Sequence, residues 1–190
     1  MEIFIRNARK EDATEAVPLI MEAIGDISMQ MTGETEETEI TKEFVQLFTK
    51  TDNRHSYLHT YIAEMEGKVA GVLVFYSAEE AVILDANLEK YLSNKKGSPI
   101  KIDSETLPGE WYIDTVVVDP TFRGHGIGTK LLTYAEQLVK NFGGGKLSLN
   151  VETEKDSAIR LYNRLGFGTV CPWTIIGQTF HHMVKTVHAD

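Results

Sequence analysis

A chain of 190 residues with 42% hydrophobic and 25% charged side chains has the size and balance of one soluble globular domain, long enough to bury a sizeable core. Its net charge of −9 argues against nucleic acid as a partner, because such binding rests on neutralising phosphates with Lys and Arg. An acidic surface suits a cationic ligand such as an amine, although solubility alone would also explain it.

Ile3 to Ala8 reads as a strand, closed by Arg9-Lys10-Glu11-Asp12 with Asp12 placed to cap a helix. Ala13, Ala16, Val17, Ile20, Met21 and Ile24 give that helix its stripe, and Pro18 within it predicts either a kink or a start near Ala16. Behind the acidic run Glu34 to Glu39, Ile40 to Thr51 is a second helix. Tyr57 to Glu64 and Val69 to Tyr76 are rich in β-branched and aromatic residues and form a hairpin around Glu66-Gly67-Lys68.

Residues 77 to 108 follow as a long insert. Val82, Leu84, Leu88, Tyr91 and Leu92 suggest a short helix there, and Ser93-Asn94-Lys95-Lys96-Gly97-Ser98-Pro99 a polar loop. A segment of this length is functional or disordered, and it reads as a cover on the substrate side or a surface elaboration. Tyr112 to Val118 is an apolar strand, and Leu131, Leu132, Ala135, Leu138 and Val139 mark a helix ended by Gly143-Gly144-Gly145. Ser148 to Glu152 alternates as a strand, Ala158 to Leu165 is a short helix, and Phe180 to Val187 is the last strand. No repeat or linker divides the chain, so residues 1–190 form one domain.

No apolar run approaches the ~20 residues that cross a bilayer, and Met1-Glu2-Ile3-Phe4-Ile5-Arg6 is no signal peptide, so a cytoplasmic protein without membrane contact is expected. The single Cys171 precludes an internal disulfide and reads as a buried bystander beside Pro172. His55 and His59 are four apart in a stretch that reads as strand, and His181 and His182 point to opposite faces of another. No metal site is expected.

The segment Val116 to Thr129 carries the most information. An apolar strand ends at Asp119-Pro120, passes Arg123-Gly124-His125-Gly126-Ile127-Gly128-Thr129, and becomes a helix. First-turn N–H groups have no intrahelical partner, and the helix dipole adds positive charge where they point, so this junction suits a phosphate. A Walker A loop fails because Thr129 and Lys130 stand in the wrong order, and G-x-G-x-x-G fails because its third glycine would be Thr129 or Leu131. Arg-x-x-Gly-x-Gly fits, as Arg123, Gly126 and Gly128. Roughly forty residues on, Ala158-Ile159-Arg160-Leu161-Tyr162-Asn163-Arg164-Leu165-Gly166-Phe167 forms a second block, with Gly166 placed as a left-handed helix cap.

These two blocks, in this order, resemble the GNAT superfamily of N-acetyltransferases. The resemblance implies an α/β (α+β) fold: a mixed, mostly antiparallel twisted sheet of about six to seven strands flanked by about four helices. The helical insert would lie between the third and fourth strands. It implies acetyl-CoA as cofactor, with pyrophosphate on the N–H groups of Gly124, His125, Gly126, Ile127, Gly128 and Thr129 beside Arg123, and the pantetheine arm along Val116, Val117 and Val118. Tyr162 matches the tyrosine that protonates the departing thiolate. Lys155 departs from the asparagine many relatives carry, so part of that cofactor contact passes to Asn150 or Ser157.

The general base is open. Glu110, Tyr112 and Asp114 share one strand face by alternation, and a buried Asp114, its pKa raised by desolvation, would serve as base or amine anchor. Relatives carry a catalytic Glu or His where Tyr112 stands and a His where Asp114 stands, and a water relay is an equal solution. The implied reaction moves acetyl to a primary amine of a small molecule by direct transfer in a ternary complex. Alternatives are acetylation of a protein N-terminus or lysine, or a non-catalytic acyl-CoA-binding module. Pairing of two chains through the C-terminal strands would make a homodimer.

Overall fold

The computed structural model describes residues 2–189. In chain order the elements are β1 (Phe4–Asn7), α1 (Ala13–Ile24), α2 (Ile27–Thr32), α3 (Glu37–Thr49), β2 (Thr60–Met65), β3 (Lys68–Ser77) and α4 (Ala78–Lys96). They continue with β4 (Glu110–Val118), α5 (Ile127–Asn141), β5 (Gly145–Glu152), α6 (Asp156–Arg164), β6 (Gly168–Ile175) and β7 (Gln178–Val187). The strands form one sheet in the order β1-β2-β3-β4-β5-β7-β6, with every pairing antiparallel except β4 with β5.

Two apolar layers sandwich the sheet. On one face α1, α3 and α4 cover Ile62, Val72, Val74, Tyr76 and Val117. On the other, α5 and the partly buried side chains of α6 cover Leu73, Phe75, Ile113, Leu149 and Met183. Gly71 lets α5 come close: a Cβ there would lie 2.9 Å from the Val117 carbonyl and 3.0 Å from Ile127 Cγ2.

Several local expectations are corrected. The helix α1 starts at Ala13, not near Ala16, and carries Pro18 inside it on the exposed side. Asp12 stands at its N-cap position but makes no cap bond there. Its carboxylate instead accepts from the Arg9 N–H at 2.7 Å and pairs with Arg6 at 2.8 Å. Tyr57–His59 is a 3-10 turn, and the strand begins at Thr60. Cys171 is half-buried in β6.

The insert holds a helix of 19 residues rather than a short one. Ser77 and Glu80 cap it reciprocally, and Gly97 ends it in the left-handed region. Ala81, Leu84, Leu88 and Leu92 recur on one face and are buried. Full burial of Leu88 and Leu92 contributes roughly 1.5–3 kcal/mol each. Thus α4 belongs to the core, and what remains of the insert is the extended return through residues 97–109.

A bulge in β4 shapes the site. Val74 pairs with Thr115 and Phe75 with Ile113, so Asp114 is the extra residue. Before it Trp111 and Ile113 face α5; after it Val116 and Val118 do. Strict alternation therefore breaks at Asp114.

Candidate active site

The parallel pairing of β4 with β5 covers only Glu110 to Ile113. From Asp114 to Val118 no strand among the described residues lies against β4 on the β5 side, whereas β5 continues to Glu152 alongside β7. The two strands part, and a cavity of about 380 Å³ opens between them. Its walls include Asp114 to Val118, Leu149 to Glu152, Tyr162 and Arg123.

Past Arg123, the loop Gly124 to Thr129 lies outside that wall and leads into α5. Gly126 takes φ 77° as N-cap of α5, and Gly124 takes φ 83°. No side chain caps α5 and no acidic residue lies in its first turn, so the N–H groups there and the dipole are uncompensated. A Cβ built at Gly124 or Gly126 would meet nothing within 4 Å, so the approach is open. His125 Nδ1 lies 3.0 Å from the Phe122 carbonyl and 3.1 Å from that of Arg123, and only a protonated Nδ1 donates to two carbonyls. Arg123 donates to the Val118 carbonyl and pairs with Glu22 at 2.8 Å. Ile127 turns its side chain into the core.

A helix end positions Tyr162. Gly166 at φ 91° lets its N–H donate to the Asn163 carbonyl and the Phe167 N–H to that of Tyr162. This paired closure brings the two rings edge to face at 6.0 Å. Burial pushes the Tyr162 hydroxyl up to about 12, so it stays protonated through the neutral range.

The inner end is charged and enclosed. Arg54, 2% exposed, donates from Nε and Nη2 to Asp114 Oδ2 at 2.9 and 2.7 Å. It also donates to Glu105 Oε1 at 2.8 Å and to Asp85 at 3.3 Å. The loop around it is knotted: Asn53 Oδ1 accepts from the His55 N–H, and the Ser56 hydroxyl donates to the Lys50 carbonyl. Tyr76 donates its hydroxyl to Asp114 in a short bond, Thr115 donates to Asp114 Oδ1, and Tyr112 donates to Glu105 Oε2 at 2.6 Å.

These partners decide protonation. Burial alone would raise Asp114, but the Arg54 charge and the donors around it outweigh burial and hold the carboxyl below its usual value. The expected upward shift is overturned. At Glu105 burial, with the Asp114 charge added, outweighs Arg54, and its carboxyl is raised. Desolvation pushes His55 down to about 4, and its Nε2 is buried without a hydrogen-bond partner.

Not every anticipated residue reaches the cleft. Glu110 is buried outside the cavity wall, with one oxygen accepting from the Leu107 N–H and the other 3.1 Å from His182 Nε2. Ser157 is exposed and also outside the wall. Asn150 lines the cavity, but its amide donates to the Glu105 carbonyl and the Tyr112 hydroxyl and accepts from His182. It holds the inner end together. Lys155 lines the cavity and pairs with Glu152. Arg54, His55 and Glu105 were missed as site residues: nothing local distinguishes a loop arginine or glutamate that will be buried from one that stays in water.

The site thus joins an open strand edge to an uncapped helix end. The family model described as "Acetyltransferase (GNAT) family" matches residues 21–167. Among solved structures, one titled "The crystal structure of acetyltransferase" is 34% identical, with TM-score 0.78 over 97% of this chain and 100% of that one. An N-acetyltransferase from Staphylococcus aureus Mu50 is 26% identical, with TM-score 0.80 over 95% of this chain and 99% of the other. N-alpha-acetyltransferase RimI of Mycobacterium tuberculosis is 40% identical over 65 residues, 34% of this chain and 39% of that protein. The matches to curated relatives span 16% to 40% of those proteins' own lengths. The chain belongs to the acetyltransferase (GNAT) family, whose enzymes use acetyl-CoA.

Proposed function

We propose that this protein moves the acetyl group of acetyl-CoA directly to a primary amine of a small molecule, both held in the cleft between β4 and β5. The observation that carries the reading is the polarity of that cleft. Past Arg123 at one end is an uncapped helix terminus that attracts phosphate, and the other end has Glu105 and Asp114 in its wall around Arg54.

The loop Arg123 to Thr129 and the free edge of β4 at Val116 and Val118 would hold acetyl-CoA, which when bound supplies a thioester carbonyl open to attack by an amine. Tyr162 presents a protonated hydroxyl to the cleft. A coenzyme thiol titrates near free cysteine, roughly 8.5, well below the Tyr162 hydroxyl at about 12. Outright proton transfer is uphill, so Tyr162 stabilises a departing thiolate mainly by donating a hydrogen bond. Ile24, Ile27, Met31, Ile175 and Phe180 give the cavity apolar walls. They fit an amine carried on an apolar body.

The enclosed inner end favours a small acceptor. A protein N-terminus is the competing acceptor, as in the names of several curated relatives. Thiol release from acetyl-CoA, assayed across small primary amines and short peptides, separates these. Turnover of small amines supports the proposal, and turnover of peptides alone moves the acceptor to the other class. Tight binding of acetyl-CoA with no turnover on any acceptor would mark a binding module.

A further inference from the structure

We infer that Glu105, carried on the return segment of the insert, receives the acceptor as an ammonium ion and takes its proton. This rests on the acetyl-transfer reading above. Around the single guanidinium of Arg54 stand Asp85, Glu105 and Asp114, so among the described residues two of the three carboxyl groups lack a matching cation. An ammonium group entering from the cleft supplies one.

Of the three carboxylates, Glu105 is the one free to meet it. Asp114 lines the cavity but already accepts from Arg54, Tyr76 and Thr115. Asp85 is outside the cavity wall. Glu105 lines the wall and accepts only one bond at each oxygen, from Arg54 and from Tyr112, which leaves lone pairs open.

A second observation points independently to a ligand. His55 lines the same cavity, is 4% exposed, and leaves Nε2 without a partner. A polar atom buried this way is normally satisfied, and a bound acceptor would satisfy it.

The segment is also held in place. Asn150 Nδ2 donates to the Glu105 carbonyl at 2.9 Å, Trp173 Nε1 to that of Ser104 at 2.9 Å, and the Ile176 N–H to Asp103 at 2.9 Å. Glu105 is thereby fixed from β5 and from the β6 end of the sheet, as a group that must meet a reacting atom requires.

In the step itself, an ammonium N–H bond breaks with its electron pair staying on nitrogen, and an O–H bond forms at Glu105. One positive and one negative charge become a neutral amine and a neutral carboxyl, and solvent later takes the proton. The groups acting on Glu105 are Arg54 from the loop before β2, Tyr76 from β3, Asp85 from α4, and Tyr112 and Asp114 from β4, while His55 acts on Arg54 and Asp114. Burial and the Asp114 charge lift the Glu105 carboxyl toward the working range of a base, against the pull of Arg54.

The test uses whichever primary amine gives the fastest thiol release with the wild-type enzyme. Glu105→Gln should lower kcat/KM for that amine by about 10²-fold to 10⁴-fold. Its affinity for acetyl-CoA by calorimetry should be unchanged, and the acid limb of the pH profile should disappear. Tyr112→Phe keeps the carboxyl but removes a donor to its charged form, so the acid limb should move to higher pH. A Gln variant with wild-type kcat/KM and an intact acid limb would overturn the assignment. So would an unmoved limb in Tyr112→Phe where the Gln variant does not fold. Absence of turnover by the wild type on any amine or peptide would instead sink the acetyl-transfer reading, and this assignment with it.

Discussion

The two ends of the cleft are built differently. At the outer end, where we propose that the donor binds, the groups are backbone N–H donors, presented by two left-handed glycines and a helix that no side chain caps. Their position follows from a contiguous stretch of chain. At the inner end they are side chains from α4, the loop before β2, the return segment and β4, joined by Arg54 across 31 to 60 residues of sequence. The outer end needs only local chemistry to form. The inner end exists only once the whole sheet is assembled, and it concentrates buried charge.

That contrast makes the inner end the place where substitution should cost most. Arg54→Met leaves Asp85, Glu105 and Asp114 without their shared cation, and breaking a buried ion pair on one side costs about 3–5 kcal/mol. Urea unfolding should show a loss of that size. A loss under about 1 kcal/mol would mean that the carboxylates shed their charge freely and that the cluster is less tightly coupled than its geometry suggests.

His55 should make the same end acid-sensitive. Its folded value of about 4 lies below the ordinary 6.5. As pH falls through this window the unfolded chain takes a proton that the folded chain refuses, so stability drops. The penalty is absent above about pH 7 and complete below about pH 4, near 3 kcal/mol in total. In His55→Leu, unfolding free energy followed across that range should lose this part of its slope; an unchanged slope would assign the acid sensitivity to the carboxylates alone.

Tyr162 lines the same cavity. A hydrogen bond to a developing thiolate contributes about 1.5–3 kcal/mol, so Tyr162→Phe should lower turnover by about 10-fold to 10²-fold and leave acetyl-CoA affinity intact. Wild-type turnover, in an assay limited by chemistry, would reduce Tyr162 to a packing partner of Phe167. Ser157→Ala should do least: with its side chain exposed and outside the cavity, acetyl-CoA affinity by calorimetry should stay within about twofold. A larger loss would extend the donor site onto the first turn of α6.

The same division explains what the sequence disclosed. The Arg123-x-x-Gly126-x-Gly128 spacing and the Tyr162–Gly166 block are short-range patterns, and their strand, turn and helix stand where those patterns place them. Six of the seven strands were legible from β-branched and aromatic runs, whereas β6, with Gly168 and Pro172 in it, was given no bounds. The start of α4 was also encoded, in the Ser77-x-x-Glu80 capping box, yet the apolar stripe from Val82 to Leu92 left out its first and last turns. The bulge at Asp114 was not encoded in any pattern: alternation put Glu110, Tyr112 and Asp114 on one face, and only pairing with β3 shows where the phase breaks. Nothing near Arg54 or Glu105 in the chain signals that long-range folding will bury them together. Glu110, favoured by its strand position, turned out to meet His182 instead.

The separation of the two ends is most directly tested by titrating acetyl-CoA calorimetrically into wild type, Gly126→Val and Glu105→Gln. A valine at φ 77° is strained and fills the approach to the helix end. Its affinity should fall by about tenfold or more, while the Gln variant binds as wild type does. Equal weakening in both variants, or none in Gly126→Val, would contradict the assignment of one end to the donor and the other to the acceptor.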